Sequence, residues 1–147
     1  MGIKLHTMTY LQLAYLHLAT VLPAFFLGAY LLFKPKGTPK HRRVGRVYMA
    51  FMLLTALITL FMPAQVGPAL WGHWGFIHLF SLLVLYCVPA AVVAARQHRT
   101  RAHAANMLGV YVGGVLVAGA FTFAPGRLLH SWVWAGSPVG YAAGHMA

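Results

Sequence analysis

Apolar residues run in four long blocks, about Tyr10 to Phe33, Val44 to Met62, His73 to Ala95 and His103 to Ala124, and the short stretches between them gather Lys, Arg, Gly and Pro. Each block holds about 19 to 24 residues, and about 20 suffice to cross a bilayer as a helix rising 1.5 Å per residue. The pattern predicts an all-α integral membrane protein, a four-helix transmembrane bundle. One membrane domain is expected over residues 10–124, with a short N-terminal lead (1–9) and a Gly/Pro-containing C-terminal tail (125–147). The first block is longer than a signal-peptide core and lacks a small-x-small cleavage site, so it is expected to remain as a span. A myristoylation signal is not expected either, because His6 stands where Ser or Thr would be needed.

Charge sets the expected orientation. Lys34, Lys36, Lys40, Arg42, Arg43 and Arg46 lie in or beside the first connection, and Arg96, Arg99 and Arg101 in the third. The second connection, Pro63 to Gly72, has no basic residue. The positive-inside rule then puts connections one and three in the cytoplasm and both termini on the non-cytoplasmic side. The net charge of +11 is explained by topology, so the lipid bilayer is the expected partner and nucleic acid is not.

Composition closes several chemistries. The 147 residues include no Asp or Glu, which removes carboxylate acid–base pairs, Mg²⁺ or Ca²⁺ cages, carboxylate di-iron sites and Ser-His-Asp triads. The single Cys87 cannot form an internal disulfide, a Cys-x-x-Cys-His haem attachment or an iron–sulfur site, so any haem would be non-covalent. Cys87 is expected to be a small core residue.

Histidine is the remaining chemistry. His17, His41, His78 and His103 fall one to each block or its edge. In the expected orientation His17 and His78 both lie about 7 to 11 Å below the outer edge, at 1.5 Å per residue. His41 and His103 both sit at the cytoplasmic edge, His41 in a basic loop just before the second helix. Diagonal helices of an up-down bundle can each give one axial imidazole to a flat macrocycle between them. The pairs His17/His78 and His41/His103 are therefore candidate metal ligands for two bis-histidine haems. A lone polar residue that merely bonds a neighbouring helix is the structural alternative for each.

Other residues bear on this set. His73 and His78, five apart, would point about 140° apart on one helix, so His73 is expected at the interface near Trp71 and Trp74. His6, His98, His130 and His145 are expected at the surface, and Met107 is expected to pack. Haem propionates would find Arg42, Arg43 and Arg46 on one side and Arg127 on the other, with Arg43 and Arg127 as the expected partners. Gly28, Gly45, Gly109, Gly113, Gly114 and Gly119 would admit a porphyrin face or a close helix equally well. In the tail, Trp132, Trp134 and Tyr141 suit an interfacial anchor or a partner subunit.

The string Lys40-His41-Arg42-Arg43-Val44-Gly45-Arg46-Val47-Tyr48, with His17, His78 and His103-x-x-x-Met107, resembles a widespread bacterial family of four-helix membrane proteins catalogued as a domain of unknown function (number 2306). The resemblance covers about Leu11 to Arg127 and implies a bacterial inner-membrane location. The histidine layout also resembles the core of the transmembrane cytochrome b561 group, where successive helices supply alternating ligands to two haems. That resemblance implies electron transfer across the bilayer. The expected function is thus a haem b membrane cytochrome with two non-covalent haems, and quinone or a small reductant is a candidate redox partner. The alternatives are a non-catalytic accessory subunit of a larger membrane complex, or a homodimer serving that role, and last a soft-metal carrier using the seven Met and nine His residues.

Overall fold

Helix α1, Tyr10–Phe33, buries Thr20, Ala24 and Gly28, a stripe of small residues spaced by four that lets α2 approach closely. It ends where the Lys36 ammonium donates to the Leu32 carbonyl at 2.6 Å, satisfying one of the last acceptors of the helix. Gly37 turns the chain with φ 80, a backbone conformation that suits glycine. A computed structural model describes residues 10–63, 73–120, 123, 130 and 133. The expectations for the lead, Arg127, Trp71, Trp132, Trp134, Tyr141, His6 and His145 lie outside those residues.

The second helix begins earlier than the apolar pattern predicts. α2 runs Pro39–Leu60, because Thr38 caps it through its hydroxyl, which accepts from the His41 N–H at 3.1 Å, and Pro39 fills the first helical position. His41 is therefore in the first turn of a helix, not in a loop. Hydropathy missed this start because capping lies in Thr-Pro, ahead of the first apolar residue. α3 spans Phe76–Arg96 and buries His78, Ser81, Val84, Cys87, Val88, Ala91 and Ala94 on one face. After it the chain reverses through His98, at φ 57, and Arg99 donates to the Ala94 carbonyl at 2.8 Å.

The fourth rod changes pitch along its length. It is α-helical over α4, Thr100–Gly109, π-helical over Val110–Val117 (π1), and α-helical again over α5, Ala118–Ala120. All four rods are long and apolar enough to cross a membrane, at 24, 22, 21 and 21 residues, and no strand occurs among the described residues. The protein is an all-helical membrane protein.

Neighbours in sequence pack side by side: α1 on α2, α2 on α3, and α3 on α4 and π1, while α1 meets the fourth rod chiefly along π1. Met52, Val84, Val88 and Val110 are fully buried at the centre. Large apolar side chains such as Phe26, Phe33, Leu79 and Tyr86 face outward, where hydrocarbon rather than water surrounds a membrane bundle.

Glycines fix the closest approaches. A Cβ on Gly28 would meet the Tyr111 ring, and one on Gly114 would stand 2.7 Å from Val84 Cγ2 and 3.2 Å from Met52 Cε. Gly113 packs likewise on Leu83, whereas Gly45, Gly109 and Gly119 have open space. The close glycines serve helix contact, and the Gly109-x-x-x-Gly113 pair is not a two-point packing face.

Candidate functional site

The bundle has a basic end, where α1 and α3 finish and α2 and α4 begin, and a far end. Each holds one of the two predicted histidine pairs. The structure treats the pairs differently.

At the basic end, His41 in the first turn of α2 and His103 in the first turns of α4 come together. Their ring centres are 6.5 Å apart with planes at 76°. A backbone carbonyl only accepts, so the 3.0 Å contact of His103 Nδ1 with the Ala91 carbonyl means that Nδ1 carries the proton and Nε2 keeps its lone pair. His41 Nδ1 is buried and has no hydrogen-bond partner among the described residues. An imidazole with one nitrogen anchored to backbone, as in His103, is how metal-ligating histidines are commonly held, and the buried His41 Nδ1 beside it has no protein partner among the described residues.

Basic side chains surround the pair. Arg42, Arg43, Arg46, Arg96, Arg99 and Arg101 are all exposed, and Arg46 Nε donates to the Arg42 carbonyl at 3.2 Å. A groove of about 340 Å³ runs beside His41, lined by Tyr30, Leu31, Lys34, Pro35, Thr38 and Lys40. Lys34 and Lys40 place their ammonium groups over the Tyr30 ring at 5.6 and 5.7 Å, a cation–π clamp. Sequence reasoning favoured Arg43 as the anion partner and passed over these two lysines, whose common signal is Tyr30 in the last turn of α1.

At the far end the histidines are already engaged. Thr59 donates its hydroxyl proton to the Thr55 carbonyl at 2.9 Å, so the 3.0 Å contact with His17 Nδ1 is a donation from the imidazole to Thr59. Thr20 and Thr55 are bonded hydroxyl to hydroxyl, which completes a polar seam between α1 and α2. His78, 2% exposed, accepts from the Gly75 N–H at Nδ1 (3.0 Å) and donates from Nε2 to the Met62 carbonyl (3.1 Å). Both of its nitrogens are occupied by backbone.

His73 joins the same knot, contrary to the helical-wheel expectation. Its Nε2 donates to the Leu60 carbonyl at 2.9 Å, and its ring lies 5.4 Å from His78, with Trp74 at 4.9 Å from His78. The 140° separation fails because α3 begins only at Phe76, so His73 is not on that helix. His73 and His78 both supply donors to carbonyls at the end of α2, groups that a helix leaves unpaired.

Between the far-end elements lies a cavity of about 610 Å³ that His17 lines and His78 does not. Elsewhere Met107 packs against the core, Cys87 is a buried free thiol, and His98 is exposed. No group of three or more His, Cys, Asp or Glu converges as a metal site among the described residues. A residue that the sequence reading did not single out is Tyr48, two turns beyond His41 on α2, whose buried hydroxyl has no partner among the described residues.

Comparison with known families gives one result. Residues 14–134 match the family described as "Predicted membrane protein (DUF2306)", and the chain belongs to that family of membrane proteins. No curated protein and no solved structure matches.

Proposed function

We propose that this chain is a small membrane cytochrome that holds one haem b at its basic end, between His41 and His103. The observation that supports this is the 6.5 Å separation of the two rings. Two imidazoles on opposite sides of one metal ion, with bonds of about 2.0 Å, stand about 6 Å apart centre to centre. Two protein donors suit an iron whose other four positions a macrocycle fills; a bare Zn²⁺ site wants three or four. When bound, haem would supply a one-electron carrier.

The residues of the chain have separate tasks around it. Ala91 fixes the His103 ring and its tautomer, and the Thr38 cap fixes the turn that carries His41. Lys34 and Lys40 in the groove beside His41, with Arg43, offer cations to the two carboxylates of the macrocycle in a chain that has no carboxylate side chain of its own. His17 and His78 do not fit a second axial pair as they stand, because His78 has no free ring nitrogen. The proposal is therefore for one haem, not two.

A pyridine-haemochrome assay on detergent-purified protein tests it. Wild type is expected to be coloured, His41→Ala and His103→Ala to lose the haem, and His78→Ala to keep it. Loss of haem from His78→Ala with retention in His103→Ala would move the site to the far end. A colourless, folded wild type would leave an accessory subunit as the better account.

A further inference from the structure

The far-end cavity is separate from the His41–His103 site. Its volume of about 610 Å³ falls within the roughly 300–1,000 Å³ of small-molecule sites. The described lining is apolar apart from His17, a few hydroxyls and one buried serine, and no Lys or Arg is among the described residues that line it.

Ser81 is the residue that points to a ligand. It sits on α3, is 4% exposed, and lines the cavity. Thr20, Thr55 and Thr59 all spend their hydroxyls on carbonyls or on one another, whereas the Ser81 hydroxyl finds no hydrogen-bond partner among the described residues. A hydroxyl on the wall of an apolar space gains a hydrogen bond when something in that space accepts from it.

Two further features belong to the same cavity. Gly114, Val115 and Leu116 of π1 form part of its wall, and π-helical turns gather at functional sites. Leu22, Phe26, Leu116 and Phe123 line it and are also exposed on the outer surface. The cavity thus reaches hydrocarbon at the thinly packed seam between α1 and the fourth rod, and a molecule dissolved in the bilayer can enter without crossing a charged barrier.

We infer that this cavity binds an uncharged, carbonyl-bearing amphiphile of the bilayer, of the isoprenoid quinone class. The Ser81 hydroxyl donates to a head-group carbonyl, and the apolar tail leaves through the seam beside Phe26. A phospholipid fits less well, since its phosphate would find no cation among the described lining residues. The inference does not depend on haem.

The test is retention of decylubiquinone by the full-length protein in phosphatidylcholine nanodiscs, measured by extraction and absorbance against protein-free discs. Saturable binding is expected. Ser81→Ala should weaken it about fivefold, the share of one hydrogen bond, and Ser81→Thr should restore it. Gly119→Leu should weaken it more than about tenfold, because Gly119 lines the cavity and a Cβ there meets nothing within 4 Å, so the new side chain takes ligand space. Uptake equal to that of empty discs, binding unchanged in both Ser81→Ala and Gly119→Leu, or a co-purified phospholipid that the quinone does not displace would each overturn the proposal. A haem-free preparation that still binds quinone supports it, which separates its fate from that of the haem site.

Discussion

The two ends of the bundle carry the same kind of residue and use it in opposite ways. At the basic end the helices are pressed together at Gly28, Tyr48 and Tyr111, and His41 and His103 face each other with ring nitrogens not spent on the protein. At the far end the rods part around a cavity, and His73 and His78 are consumed by the carbonyls that close α2. A histidine at these helix ends thus either keeps an unspent ring nitrogen or caps the backbone. What decides is whether an unfinished helix end lies within reach.

Packing should show the contrast most strongly. Gly28→Ala is expected to destabilise by about 2–3 kcal/mol, since the added methyl meets the Tyr111 ring and lies 3.0 Å from Tyr48 Cε2. Gly119→Ala at the open end should lose nothing and gain about 0.5 kcal/mol from helix propensity. Thermal unfolding of the two variants in one detergent compares them directly. Equal losses would mean that the far end is as closely packed as the basic end.

Capping gives a smaller effect. His78→Ala leaves the Met62 carbonyl and the Gly75 N–H without their side-chain partner, and a cost of about 1–3 kcal/mol is expected. Hydrogen exchange should rise locally at the end of α2 and the start of α3, with the basic end unchanged. If unfolding is unaffected, His78 is not a cap and its nitrogens are available for another role.

Much of the fold was legible in the sequence, because twenty-residue apolar blocks have few other uses. That His41 and His103 share one end was legible as well, since it is arithmetic on chain position. Tautomer and partner were not. Nothing in the apolar pattern shows that Thr38 and Pro39 pull His41 into a helix, or that α3 starts late enough to free His73 for the Leu60 carbonyl. These are facts about helix ends, where one capping residue outweighs a stretch of hydropathy. The cavity was illegible for a related reason. His17, Ser81 and the π-helical stretch come from three rods, and only packing brings them to one wall.

The smallest expected effect separates cap from ligand most sharply. The hydroxyls of Thr20, Thr55 and Thr59 are bonded to carbonyls or to one another, so replacing one of these threonines breaks an interaction that stabilises the fold. Ser81 breaks none when it becomes Ala, because its hydroxyl has no protein partner among the described residues. Removing a hydroxyl that makes no hydrogen bond to the protein is close to neutral. Ser81→Ala should therefore unfold within about 0.5 kcal/mol of wild type in ligand-free detergent, while Thr59→Ala, which loses both its Thr55 and His17 bonds, should fall by about 1–2 kcal/mol. A Ser81→Ala loss as large as that of Thr59→Ala would show that the serine is part of the scaffold and that the far end is built, like the basic end, to be closed.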